Sequence, residues 1–381
     1  MLVGLQNSTG FPSYSSSNAI FYKDTLDKHK SMIEDFKKAK RYIFLEFFII
    51  SDGNLLEEVI EVFQKKGEEG VEIYVIYDDV GSKPSLKRKT INRIKNIPNL
   101  HINAFSPFGV NINPAINYRD HRKIVVIDGK IAYTGGDNLA DEYIHLKERF
   151  GKWRDNSIKI EGEAVVNFVL LFLEMWYISS KETLKVEDYM PKEIEHFNNG
   201  SLIMPFGDGP TYLSNPTYSL FLNMISSAEQ KIYISTPYFI IDKSFINSIV
   251  RALKRGVEVV LLLPHVPDKK GVFYMTRGHY DEILRAGGKI YEFTEGFTHA
   301  KNMFVDSKYA YIGTSNLDYR SLFLHFECGV FLVDDISIVE MEKDFVETIE
   351  VSKRITYESW KDRPFYQKVI AHLLSFFSPL F

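Results

Sequence analysis

His121, Lys123 and Asp128 form the pattern His-x-Lys-x4-Asp, and His299, Lys301 and Asp306 form it again. Moving a phosphate ester group requires attack on phosphorus from one side and a proton for the departing alkoxide on the other, and an imidazole can serve either purpose. One copy of the pattern supplies one ring; two copies supply both. Negative charge grows on the phosphoryl oxygens as phosphorus becomes pentavalent, so fixed cations and amide donors lower the barrier. Lys123, Lys301, Asn138 and Asn316 are the candidates for binding that phosphate. A lone lysine is ordinarily a solvated surface charge, but each of these sits two residues from a histidine, on the same face of an extended strand.

Residues 121–139 align without a gap with residues 299–317, and the identities include Lys130/Lys308, Tyr133/Tyr311, Gly135/Gly313 and Asn138/Asn316. Upstream, residues 39–48 resemble 228–238, and Gly70-Val71-Glu72 resembles Gly256-Val257-Glu258. The chain therefore reads as one domain duplicated, with the two motifs meeting at a pseudo-two-fold interface. To divide the labour, one ring must be neutral and the other protonated near pH 7, which imidazoles of reference pKa ~6.5 manage when carboxylates hold them differently. Asp155 in Trp153-Arg154-Asp155 and Glu327 in His325-Phe326-Glu327 follow the two motifs at comparable intervals and are the supporting acids. Which acid serves which histidine is open. Asp128 and Asp306 complete the motifs, and their place at a strand turn points to holding that turn by hydrogen bonds. The remaining histidines, His325 among them, have no counterpart in the other copy and read as structural. No His-x-x-x-His or cysteine cluster offers a metal site, and the motif lysines already supply positive charge, so the expected reaction uses no metal and no cofactor.

A chain of 381 residues exceeds the usual size of a single core, which agrees with two domains. The net charge of −4 provides no overall attraction to a phosphodiester polymer, and runs of interleaved arginine and aromatic residues are lacking, so nucleic acid is not an expected partner. Aromatics at 14% are abundant enough that some could face lipid. Cys328, the single cysteine, lies in an apolar stretch and reads as a packed strand residue. No run approaches the ~20 apolar residues that span a bilayer, and residues 1–14 lack the pattern of a signal peptide. The expectation is a soluble or peripherally bound chain.

Charged helical periodicity over 24–40, a buried strand at 42–50, an amphipathic helix at 55–66 and a strand at 71–77 predict alternating α/β structure. The first motif falls on a strand at 121–127, a turn at Asp128-Gly129 and a returning strand to 134. Residues 164–177 read as a core helix. The second half repeats the order, with strands at 231–236, 257–263, 289–293, 299–305 and 309–312 and helices at 220–228, 245–255 and 279–286. The fold class is thus α/β: two pseudo-symmetric domains, each a mixed, mostly parallel sheet flanked by helices, with the site at the interface. Expected boundaries are 1–183 for the first domain, 184–210 for the connection, 211–362 for the second domain and 363–381 for an amphipathic tail. In that tail Val369, Ile370, Leu373, Leu374, Phe376 and Phe377 form an apolar face beside Lys368.

At these residues the chain resembles the phospholipase D superfamily, whose signature is the duplicated motif, and within it the bacterial cardiolipin synthases. The resemblance runs from about Tyr42 to the end and includes Arg119-Asp120-His121-Arg122-Lys123-Ile124, Gly135-Gly136-Asp137-Asn138, Thr236-Pro237-Tyr238-Phe239 and Gly313-Thr314-Ser315-Asn316-Leu317-Asp318-Tyr319-Arg320-Ser321. It implies transfer of a phosphatidyl group between two phosphatidylglycerol molecules, giving cardiolipin and glycerol through a phosphatidyl-histidine intermediate. His121 would be the nucleophile and His299 the general acid. The same residues would serve a phospholipase D that hydrolyses phospholipids to phosphatidic acid, or a nuclease of the superfamily. Synthases of this type usually begin with hydrophobic spanning helices, which this sequence does not show. The resemblance therefore implies a truncated form or a member docked peripherally on the cytoplasmic membrane surface, with the tail, Phe105-Ser106-Pro107-Phe108 and Val272-Phe273-Tyr274 as its contacts.

Overall fold

A computed structural model of the chain describes residues 1–106, 117–212 and 214–375. The first half contributes strands β1 (Ser17–Tyr22), β2 (Tyr42–Phe47), β3 (Glu72–Asp78), β4 (Leu100–Phe105), β5 (Lys123–Ile127), β6 (Ile131–Gly135), β7 (Lys152–Arg154) and β8 (Ser157–Gly162). All but β7 form one sheet, in the order β1-β8-β6-β5-β2-β3-β4. The second half contributes β9 (Leu202–Asp208), β10 (Lys231–Ser235), β11 (Phe239–Ile240), β12 (Glu258–Pro264), β13 (Lys289–Phe293), β14 (Gly296–Thr298), β15 (Asn302–Val305), β16 (Tyr309–Gly313), β17 (Leu317–Asp318), β18 (Glu327–Val333) and β19 (Ser352–Ile355). Its sheet runs β19-β13-β12-β10-β15-β16-β18-β9.

The central order β6-β5-β2-β3 is repeated as β16-β15-β10-β12, which is the duplication in three dimensions. Both sheets are mixed, but parallel pairing is confined to β2-β3-β4 and to β10-β12-β13. The expected parallel majority does not hold, because each motif folds as a tight antiparallel hairpin that needs no crossover helix. The stretch expected to connect the halves, 184–210, supplies β9 to the edge of the second sheet.

The helix Val165–Ser180 is apolar nearly all round: Phe168, Val169, Leu171, Phe172 and Met175 are fully buried. It fills the space between the inner faces of the two sheets, packing Phe172 on Phe44 at 4.1 Å between ring centres. Apolar character on every side is what burial between two layers demands. The outer faces carry amphipathic helices, Thr25–Lys38 and Asn54–Glu68 on the first sheet, Pro216–Ser227 and Lys243–Lys254 on the second. The helix Lys270–Gly278 was not expected from the sequence; it holds the tail helix Phe365–Ser375 against the second half. Among the described residues no helix is long and apolar enough to cross a membrane. Cys328 is buried in β18, where burial pushes its thiol up to about 11.

Candidate active site

The strands expected at 121–127 and 299–305 begin later, at Lys123 and Asn302. His121 and His299 therefore stand just ahead of the sheet, where the chain crosses to the other half. Asp120 bridges to Phe326, and the His121 N–H donates to the Phe326 carbonyl at 2.9 Å. Likewise β14 pairs with β7, setting Thr298 beside Arg154, and the His299 N–H donates to the Arg154 carbonyl at 2.7 Å. In each case the residue that accepts directly precedes a supporting acid.

That register crosses the pairing. His121 Nδ1 lies 2.9 Å from Glu327 Oε1, and His299 Nδ1 lies 2.7 Å from Asp155 Oδ2, so each histidine is held by the acid of the opposite half. A carboxylate can only accept, so Nδ1 carries the hydrogen and Nε2 is left to the site. The lysines bend back onto their own motifs: Lys123 Nζ donates to the His121 carbonyl at 2.6 Å, and Lys301 Nζ to the His299 carbonyl. All of these groups are buried. Lys123 acts electrostatically on both His299 and Lys301, and Lys301 is acted on by Glu327, so the two motifs share one site.

The two pairs differ in what surrounds the carboxylate. Glu327 also accepts from Ser321 Oγ at 2.6 Å and from Thr314 Oγ1. Burial pushes its carboxyl up, but the neighbouring His121 more than offsets this and holds it well below the usual range. Asp155 accepts besides His299 only a backbone bond, from Asn156 N at 2.9 Å, among the described contacts. Burial raises it to about 6, with Lys301 opposing. Both imidazoles are lowered, chiefly by burial, His121 to about 3 and His299 well below its ordinary value. The expected contrast of one neutral and one protonated ring is thus absent from the rings themselves; it lies in their acids. Lys301 is lowered to about 7, again by burial first.

Asp128 and Asp306 act at the far end of the hairpins. Asp128 accepts from the backbone N–H groups of Lys40, Arg41 and Tyr42, and Asp306 from those of Glu229, Gln230 and Lys231. Asn138 is spent on the scaffold, accepting from Ile49 N and donating to Tyr143 Oη. Asn316 is buried with its Oδ1 unpartnered. Gly136 packs so close to Asp155 that a Cβ there would collide with the carboxylate.

His325, read as structural from the sequence, belongs to the site. Its ring centre is 5.6 Å from that of His121, and its Nδ1 lies 3.7 Å from Glu327 Oε1. The available signal was positional: His325 stands two residues before Glu327 as Trp153 stands two before Asp155, and Trp153 packs on His299, also at 5.6 Å. His121, His325 and Glu327 are also a group of three potential donor atoms within 4.8 Å of one another. The sequence contained no spacing that would have shown this grouping.

Paired imidazoles on opposite halves of a duplicated α/β fold, each backed by the other half's acid, define a phosphoryl-group transferase of the phospholipase D type. The family model described as "Cardiolipin synthase, PLD-like domain" matches residues 32–166 and 221–349; the chain belongs to that family and is a phosphatidyltransferase. The chain is 35% identical to a cardiolipin synthase of Halalkalibacterium halodurans, the alignment covering 97% of this chain and 73% of that protein. It is 37% identical to cardiolipin synthase 2 of Bacillus anthracis, covering 92% and 68%. An uncharacterized protein of Streptococcus mutans is 36% identical over 99% of this chain and 81% of its own length. The fold matches a phosphatidylserine synthase of Haemophilus influenzae with a TM-score of 0.73 and 17% identity, covering 98% of this chain and 96% of that one.

Proposed function

We propose that the protein makes cardiolipin and glycerol from two molecules of phosphatidylglycerol. The observation that carries the mechanism is the crossed pairing of His121 with Glu327 and His299 with Asp155. His121 Nε2, neutral and fixed by Glu327, attacks the phosphorus of the first lipid, forming a P–N bond as the bond to the glycerol oxygen breaks. The His299–Asp155 pair, which takes up a proton at about pH 6, gives it to that alkoxide and releases glycerol. His299 then removes a proton from the hydroxyl of the second phosphatidylglycerol, whose oxygen displaces His121 from phosphorus. Lys123 and Lys301 counter the charge on the phosphoryl oxygens, with Asn316 as a further donor. Asn138, expected to bind phosphate, instead braces the loop behind the site.

Phosphatidylglycerol is membrane-bound, and the tail helix supports a peripheral docking role. Phe365, Tyr366, Val369 and Leu373 are exposed along it, beside the half-buried Lys368. Leu374 packs on Val272 and Met275 beside Tyr238, which reaches the cluster of Trp153 and Phe297 next to His299. Tyr238 thus links the tail helix to the cluster beside His299, and the exposed apolar face would rest on the cytoplasmic surface of the membrane. Phe105 is buried, residues 107 and 108 lie outside the described residues, and Val272 is buried while Phe273 and Tyr274 remain partly exposed.

The test is incubation with phosphatidylglycerol in mixed micelles and identification of products by mass spectrometry. Cardiolipin and glycerol in equal amounts are expected, with His121→Ala and His299→Ala each inactive. Phosphatidic acid as the main product would replace this reading with hydrolysis. Sedimentation with phosphatidylglycerol vesicles tests docking: Phe365→Ser with Leu373→Ser should leave most of the protein in the supernatant.

A further inference from the structure

The two histidine–acid pairs match in backbone register but differ in the ring that backs each one. An indole, Trp153, packs on His299, and an imidazole, His325, occupies the corresponding place beside His121. A hydrocarbon ring would have been enough to pack there; a second imidazole introduces a directed donor. Its direction is set locally. The His325 N–H donates to the Arg320 carbonyl at 2.9 Å, and Arg320 Nε donates to His325 Nε2 at 3.4 Å. With Nε2 accepting, the ring hydrogen of neutral His325 sits on Nδ1, a buried atom with no other hydrogen-bond partner, facing Glu327 Oε1 at 3.7 Å. That separation is longer than an ideal hydrogen bond, yet His325 still weakens the hold of the Glu327 carboxyl on a proton.

We propose that His325 is a positioning residue: through Nδ1–H it acts with Ser321 and Thr314 to fix the Glu327 carboxylate, which in turn holds His121 with Nε2 facing phosphorus. This rests on the phosphatidyl-transfer reading for its kinetic consequence, but its structural consequence does not. A triad aspartate acts in the same manner, by fixing the tautomer and orientation of a catalytic imidazole. Here the orienting acid would need orienting too, because Glu327 has two oxygens and three donors competing for them. On the His299 side the backbone N–H of Asn156 does that for Asp155.

The experiment compares the wild type with His325→Asn, which keeps a side-chain N–H near the position of Nδ1, and His325→Ala, which does not. In the phosphatidylglycerol micelle assay, His325→Ala should lower kcat by about 10-fold to 100-fold, a range typical of groups that orient a ligand or catalytic residue, with KM within about two-fold. His325→Asn should recover most of that loss. Independently of turnover, 15N NMR of the imidazoles should show His121 as the Nδ1–H tautomer in the wild type and in His325→Asn, and a mixture of tautomers in His325→Ala. An Asn variant as impaired as the Ala variant, with both melting like the wild type, would overturn the proposal. So would loss of wild-type activity on chelation with recovery on adding zinc, because His121, His325 and Glu327 would then be ligands. If the wild type produced no cardiolipin while the tautomer results held, the assigned reaction would fail and the positioning role would stand.

Discussion

Glu327 and Asp155 are both buried carboxylates on a histidine Nδ1, yet their neighbours drive them in opposite directions. Glu327, which also accepts from Ser321 and Thr314, is held ionised against its burial by His121 and then His325, whereas Asp155 has fewer donors and is raised by burial to about 6. A rise in the folded-state pKa means that the proton is bound more tightly than by a free aspartate, and that it is lost as pH climbs through about 6. A general acid must carry its proton, so kcat/KM should be highest at or below about pH 6 and decline above it. On the acid side His121 stays neutral until about pH 3, so no falling limb should appear between pH 5 and 6. A pH profile on micellar phosphatidylglycerol tests this, and a rising limb centred on pH 6 to 7 would show that His121 titrates as an ordinary imidazole. Asp155→Asn should lower kcat by ~100-fold or more and remove the decline above pH 6, since an amide keeps a hydrogen-bond partner for His299 but cannot take up the proton. The motif histidines and lysines and both acids were legible in the sequence from spacing alone. Their cross-pairing was not, because it depends on which strand edges meet across the interface, and intervals along the chain leave that undetermined.

Each motif hairpin turns through left-handed backbone, Asp128 at φ 54° with Gly129 at 71°, and Asp306 at 54° with Ser307 at 52°. Two successive residues of positive φ make the turn whose twist suits an antiparallel hairpin. The aspartate in each turn then accepts three consecutive backbone N–H groups from the chain entering the neighbouring strand, β2 or β10. The third motif residue therefore ties hairpin to sheet at the end away from the histidines. Asp128→Ala and Asp306→Ala should each cost roughly 1–3 kcal/mol, the scale for removing a charged acceptor from partly buried donors. The activity per folded molecule should stay within about three-fold of the wild type at a temperature well below melting. Denaturant titration gives the first quantity and active-site-normalised kcat the second; a hundred-fold loss of kcat in a fully folded Asp128→Ala protein would place this carboxylate in the chemistry. At this scale the sequence was read well where periodicity was strong, as for Thr25–Lys38, Lys243–Lys254 and Lys289–Phe293. It was misread where one apolar run is divided by a crossing. The stretch 299–305 looks continuous, yet residues 299–301 are the crossing itself, between β14, which pairs with β7 of the other half, and β15, which joins the sheet. The helix Lys270–Gly278 was missed because its Gly, Lys and Arg obscure the apolar face formed by Val272 and Met275.

Two domains in sequence need not be two units in stability. The helix Val165–Ser180 belongs to the first half by chain order, but the core around it includes Ile124, Val126 and Ile160 of one sheet and Phe304, Val330 and Leu332 of the other. Its neighbour Arg122 is fully buried, donating from Nη1 to the Leu171 carbonyl at 3.1 Å and from Nε to the Glu327 carbonyl at 3.3 Å, which links motif, helix and opposing strand. An isolated half would expose that core and leave each histidine without its acid. Composition and length suggested separate domains because they count residues, while the shared core depends on which apolar faces meet. The protein should therefore melt in a single calorimetric transition, with calorimetric and van't Hoff enthalpies in agreement. Trp176→Ala removes a buried side chain packed edge-on to Tyr74 and should cost about 3–5 kcal/mol. Because the core is common, that loss should lower the one transition as a whole, and reporters in either half should shift together. Resolution of the Trp176→Ala melt into an early first-half transition and an unshifted second-half one would mean that the halves are energetically independent. The crossed histidine–acid pairs would then be a docking contact rather than part of one cooperative unit.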